Sequence, residues 1–320
     1  MLRRPEVTGG RARRLALALS MALLPGLGHA RPRVVVVRSA ELGPYAQVMA
    51  GFSAEVKADV GDVLLEEGAD GAERTLKKVA EQSPALVLAI GPAGAVAARK
   101  RFSDVPIVFA MVPYFQKYDL EGANTTGIAL TSDLSLELTA ARALLPRVKR
   151  VGVVVDPRYS RAFVDEAAQL ARARGLTLVP IEIDAPAKLD KALAGARGRV
   201  DALAVVSDKT VGNAAVVERL LAFARDEALP VIGLAPGQVK QGAVFALVAA
   251  PLAIGLQAGR VANRIVNEKV DPGALAVAPP EGVELHVNLG AATRLGLSER
   301  FSADALVFAA RQGLAVKAVE

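Results

Sequence analysis

Two aspartates stand where chemistry could be done. Asp156 follows the apolar run "RVGVVV" (150–155), and Asp208 follows "VDALAVVS" (200–207). A pair of carboxylates facing one cleft could act as general acid and base, provided their separation is fixed. They could instead accept hydrogen bonds from a ligand amine or hydroxyl. Each also has a purely local use. Asp156 and Ser160 can cap the next helix, and Asp208 can satisfy the backbone N–H groups of its own turn. Around them, Tyr159 could cover an apolar ligand face, Ser160 could donate a hydrogen bond, and Ser207 and Thr210 add hydroxyls in "SDKT" (207–210). Lys209 reads as a solvated tip residue.

Both aspartates end strand-like runs. In an open parallel α/β sheet, ligands bind beyond the carboxyl ends of the strands, so equivalent loops elsewhere are candidates. "SAELGPY" (39–45) offers Ser39, Glu41 and Tyr45, and "MVPYF" (111–115) offers Met111 and Tyr114. "GPAG" (91–94) offers Gly91, Pro92 and Ala93. It opens a helix whose free N–H groups could hold a carboxylate or phosphate, although such a turn is also ordinary before a helix. "DPRYS" (156–160) and "APGQ" (235–238) complete the set. No G-x-S-x-G, P-loop, G-x-G-x-x-G or H-E-x-x-H occurs.

The elements that must hold these loops alternate regularly. Short β-branched or apolar runs at 33–37, 62–67, 85–91 and 106–112 alternate with helical patterns at 44–56, 71–82 and 93–102. Such alternation predicts a parallel sheet covered on both faces. The pattern restarts with strands at 126–130, 150–155, 176–183, 200–207 and 229–235, interleaved with helices near 133–145, 160–175, 186–196 and 211–227. A strand and long helix over 242–270 and a strand at 283–288 follow. The two halves share one plan, so the expected fold is α/β, with two similar doubly wound parallel-sheet lobes joined by three crossings. Lobe one is assigned 31–125 plus about 243–272, and lobe two 126–242 plus about 273–300. Residues 301–320 are read as a small helical extension. Gly122–Gly127, Pro236–Gly242 and Asp271–Gly273 are the candidate crossings, and several crossings between lobes permit hinged closure.

Residues 1–30 read as a cleaved signal peptide. Arg3, Arg4, Arg11, Arg13 and Arg14 form a basic region, "LALALSMALLPGLG" (15–28) an apolar core, and "GHA" a cleavage site after Ala30. The net charge of +6 then falls to 6 − (5 − 1) = +2, because that segment holds five Arg and one Glu. The basic balance therefore belongs to export, and no nucleic-acid partner is expected. There is no cysteine, hence no disulfide and no thiol chemistry. His286 would be the one histidine left after cleavage, so neither a metal site nor another cofactor is expected.

Several segments together resemble the ABC-transporter substrate-binding proteins of the tryptophan/tyrosine-type family. They are "ALVLAIGPAGAVAARKRFSDVPIVFAMV", "LEGANTTGIALTSDLSLELTAARALLPRVKRVGVVVDPRYS", "SDKTVGN" and "LPVIGLAPGQVKQGAVFALVAAPLAIGLQAGRVANRIV". The likeness spans roughly residues 33–296. It implies a type I periplasmic-binding fold and a non-enzymatic periplasmic protein that closes on a small molecule, an amino acid or related compound. It implies delivery to an ABC permease, and a monomer with no stable membrane insertion after cleavage. It places Gly91, Pro92 and Ala93 near a ligand carboxylate and Asp208 near a ligand amine. The sequence departs from the family at Met111-Val112-Pro113, Asp156-Pro157 and Ala249-Ala250-Pro251, which implies a more apolar pocket. Two other readings stay open: a ligand-sensing or interaction protein of this fold without a transporter, and an α/β enzyme using Asp156 and Asp208.

Overall fold

The computed structural model describes residues 31–113, 115–120, 122–130, 134–206, 208–297 and 299–319. The first lobe contains β1 (Arg33–Arg38), α1 (Gly43–Glu55), β2 (Asp59–Leu64), α2 (Gly68–Glu81), β3 (Leu86–Ile90), α3 (Pro92–Arg101), β4 (Ile107–Val112) and β5 (Thr125–Ala129). Its sheet runs β2-β1-β3-β4-β5, all parallel. The second lobe begins with α4 (Leu134–Leu144), β6 (Arg150–Val155), α5 (Arg161–Arg172), β7 (Thr177–Glu182) and α6 (Leu189–Ala196). It continues through β8 (Ala202–Ala204), α7 (Ala214–Asp226), β9 (Val231–Gly233), α8 (Pro236–Lys240) and β10 (Phe245–Ala249). Then come α9 (Pro251–Val266), β11 (Val283–Asn288), α10 (Leu289–Arg294), α11 (Phe301–Gln312) and β12 (Ala315–Val319). The second sheet runs β12-β11-β10-β9-β8-β6-β7, with the β10–β11 pair antiparallel.

The valine runs explain both sheets. In β1, Val34 and Val36 face a core built with α1 and α9, while Val35 and Val37 face one built with α2 and α3. A strand buried on both faces needs apolar residues at every position, and all four valines are fully buried. In β6, Val153 joins the core under α4, α5, α10 and α11, whereas Val154 joins the one under α6 and α7. Two doubly wound lobes of the type I periplasmic-binding kind result.

The crossings lie elsewhere than expected. The strand Thr125–Ala129 pairs with β4, so the chain leaves lobe one after β5 and not within Gly122–Gly127. Pro236 opens α8 inside lobe two. The second crossing is the step from β10, paired with β9 and β11, to α9, packed on lobe one. The third follows Ala278, which lies beside Ile128 and exchanges backbone hydrogen bonds with Gly127 and Ala129 at 3.0 and 2.8 Å. Asp271 meanwhile caps a local turn through Gly273 N–H at 2.9 Å. The 301–320 segment also differs from the expected helical extension. After α11, residues 315–319 pair in parallel with β11 and become the edge of sheet two.

Candidate functional site

The sequence-marked residues form two clusters. In lobe one, Ser39 Oγ donates to Ile90 O at 2.9 Å and accepts from Gly94 N–H at 2.8 Å. It thus braces the β1 loop against the start of α3. Gly91 has φ +90°, and a Cβ built on it would lie 2.4 Å from the Tyr45 hydroxyl. Only glycine fits there. Burial raises the Tyr45 phenol above its ordinary range. Pro92 occupies the first turn of α3, Ala93 is exposed, and Glu41 lies exposed beside α1.

In lobe two, Asp156, Ser160 and Asp208 are buried. Asp208 accepts from Asp156 N–H at 3.0 Å, Thr210 N–H at 2.7 Å, Val211 N–H at 3.1 Å and the Ser160 hydroxyl. Asp156 accepts from Arg158 N–H at 3.0 Å, Arg158 Nε at 2.9 Å, Arg158 Nη2 at 2.6 Å and Thr210 Oγ1 at 2.6 Å. A carboxylate offers about four acceptor sites, so four donors saturate each aspartate. Neither has capacity left for acid–base work. The local use expected of Asp208, ordering its own turn, is present in the bonds from Thr210 and Val211 N–H. Asp208 also ties the β8 loop to the β6 loop.

Arg158 holds the Asp156 carboxyl far below the usual carboxylate range, with help from Thr210 and the Arg158 N–H. A depressed folded-state pKa contributes stability that is complete above the unfolded value of about 3.9 and is lost as pH falls below it. Asp156→Asn is therefore expected to flatten the acid limb of stability between about pH 5 and pH 2. Urea unfolding at a series of pH values checks this. Equal slopes for wild type and variant would show that other carboxylates set the limb.

Tyr159 stands where the lobes meet. Its carbonyl accepts from Lys117 Nζ of lobe one at 2.5 Å. Its ring lies 5.3 Å from the Arg158 guanidinium carbon and 6.0 Å from Lys209 Nζ. Tyr114 and Ser207 lie outside the described residues.

A cavity of about 540 Å³ opens between the lobes. Lobe one supplies Pro44, Gln47, Met111 and Pro113, lobe two supplies Glu137, Leu234, Pro236, Glu284 and His286, and Leu130, Ala249 and Pro251 line it from the first two crossings. Among the described residues, Met111 is the one individually marked candidate that lines it, and the marked loops add Pro44, Pro113, Ala235 and Pro236. The Met111 φ of +58°, at a break in the β4–β5 register, aims the chain into the cavity. Its lining is mainly apolar, as the departures at 111–113 and 249–251 imply. His286 Nε2 pairs with Glu284 at 3.0 Å. These two alternate along β11 and so share one face, a signal present in "VELHVN" that sequence reasoning did not use. Glu137 and Leu234 carry no motif.

The sequence model for "ABC transporter substrate binding protein" matches residues 66–310, more than half of the chain. No curated protein matches. Among solved structures, the fold is similar to an ABC domain from Streptococcus pneumonia in complex with L-Trp, at 18% identity and TM-score 0.66. It is also similar to the ligand-free, open form of a substrate binding protein with adhesive properties from Clostridium difficile, at 19% and 0.75. A conserved domain protein from Vibrio cholerae is a third, at 24% and 0.64. Each comparison covers 90% of this chain and 100% of the other. The chain belongs to the ABC transporter substrate-binding protein family.

Proposed function

We propose that the chain is an exported periplasmic solute-binding protein, with residues 1–30 removed. Its two lobes close on a small molecule in the cleft, and it hands that molecule to an ABC permease without chemical change. The observation that carries this reading is the 540 Å³ cavity walled by both lobes and by crossing segments between them. A site built that way changes shape whenever the lobes move. Its size falls within the range of small-ligand pockets.

The lining favours a compact ligand with an apolar body. Among the described lining residues the titratable side chains are Glu137, Glu284 and His286, and neither lysine nor arginine contributes. That balance suits a neutral or amine-bearing compound, such as an amino-acid relative. L-Trp bound to the Streptococcus relative is compatible with such a class.

A thermal-shift screen of amino acids, purines and small acids tests the proposal, because a ligand that binds only the folded state raises its stability by mass action. A hit is expected to raise the melting temperature and, at saturation, to lower the radius of gyration measured by small-angle scattering. A screen with no hit, or identical scattering curves with and without a saturating hit, would sink the reading.

A further inference from the structure

A second cavity, of about 240 Å³, lies inside lobe two between the sheet and helices α4 and α5. It shares two lining residues, Glu137 and Leu234, with the cleft cavity. Among its described lining residues Glu137 is the one charged side chain, and the rest are aliphatic, glycine or phenylalanine. Protein interiors rarely leave voids larger than a water molecule, because the lining forfeits its dispersion contacts. Here small side chains keep the space open: Ala141 on α4, Ala167 on α5 and Ala204 on β8. A larger aliphatic residue at any of these positions would project into it.

We infer that this cavity is a subsite of the cleft and takes an uncharged hydrocarbon arm of the bound molecule. An apolar cavity of roughly 150 Å³ stays dry and accepts benzene. The space here suits one ring with a short spacer, or a branched aliphatic chain. Glu137 then stands at the boundary, where the polar part of the ligand meets the apolar arm. The inference rests on the cleft being the ligand site, and it narrows the ligand class to small amphiphiles with one apolar arm.

The experiment uses the full folded chain and three probes: benzene, ethylamine and phenethylamine. Two filling variants, Ala141→Leu and Ala167→Leu, approach the cavity from different helices, so one misfolded variant leaves the other to decide. Benzene is expected to raise the wild-type melting temperature. Phenethylamine is expected to bind at least tenfold more tightly than ethylamine in the wild type, since burying a ring side chain adds a gain of that order. In the filled variants the benzene shift disappears and the two amines bind within about threefold of each other, while each variant melts at or above wild type.

Benzene shifts that are absent, or equal in wild type and both variants, would overturn the cavity as a site. A filling-sensitive benzene shift without a preference for phenethylamine would overturn its role as an arm of the cleft. Failure of the transport reading shows elsewhere, as an empty solute screen or as scattering that does not respond to a saturating hit.

Discussion

Asp208→Ala is expected to destabilise the folded chain by about 3–5 kcal/mol, since it strands several buried hydrogen-bond donors at once. The alanine would leave the N–H groups of Asp156, Thr210 and Val211 and the Ser160 hydroxyl without their acceptor. Each orphaned buried donor costs roughly 1–3 kcal/mol before water or relaxation recovers part of it. The loss extends beyond one turn, because the same carboxylate joins the β6 loop to the β8 loop. Urea unfolding measures the loss. Ligand affinity, measured well below the variant's melting temperature, is expected to change by less than about threefold. A variant of wild-type stability that binds ten- to a hundredfold more weakly would instead place the carboxylate on the ligand.

Gly255→Ala carries the second large effect. The Cβ would lie 2.1 Å from Val48 O and 2.8 Å from Phe52 N, both backbone atoms of α1. Gly51 meets Leu252 O at 2.2 Å in the same sense, and Gly259 meets Glu55 Cβ at 2.7 Å. Three glycines thus let α1 and α9 approach until their backbones touch, and only a shift of a whole helix makes room for a methyl group. Overpacking costs about 1–3 kcal/mol where side chains can adjust, so a clash with main chain belongs at or above the top of that range. The higher helix propensity of alanine returns only about 1 kcal/mol. A drop of about 4–12 °C in melting temperature is expected. Gly195→Ala, in α6, is the control of opposite sign. Its Cβ would meet nothing within 4 Å, so a gain of about 0.5–1 kcal/mol follows from propensity alone. Equal effects at the two positions would refute the close-packing account.

Residue pattern made the sheets readable and left their edges obscure. The Val34–Val37 run and "RVGVVV" announced central strands because both faces of such strands are apolar. β2 was harder. The expected 62–67 became Asp59–Leu64 because pairing with β1, from Arg33–Asp59 to Arg38–Leu64, sets the register. An Arg38–Asp62 ion pair at 2.8 Å lies within that pairing. β8 shrank from 200–207 to Ala202–Ala204, since the chain beyond Val206 turns to deliver Asp208 to its donors. The short β12 has weak alternation and declares itself only by pairing with β11. Strand ends singled out Asp156 and Asp208, and the structure buries both in one hydrogen-bonded network. That they saturate one network across 52 residues of sequence was not legible, because the partners belong to different loops. The cleft lining was legible in part. Pro44, Pro113, Ala235 and Pro236 lie in loops that strand ends had marked, whereas Glu137, Glu284 and His286 owe their place to the packing of lobe two, which local pattern does not encode.

Helix α9 has a consequence for how the molecule is made. Lys57 N–H donates to Asn263 Oδ1 at 2.8 Å and Asn263 Nδ2 donates to Glu55 O at 3.0 Å, pairings that span 206 and 208 residues. The α1 side of lobe one stays uncovered until α9 has been synthesised, and sheet two lacks its last two strands for longer still. Neither lobe can complete as the chain emerges, although each looks like an independent domain once folded. Such high-contact-order closure slows folding and prolongs the exposure of apolar surface. That apolar surface is therefore left without its cover for most of translation, and a ribosome stalled near residue 250 would present β1, β3 and β4 with one apolar face incompletely covered.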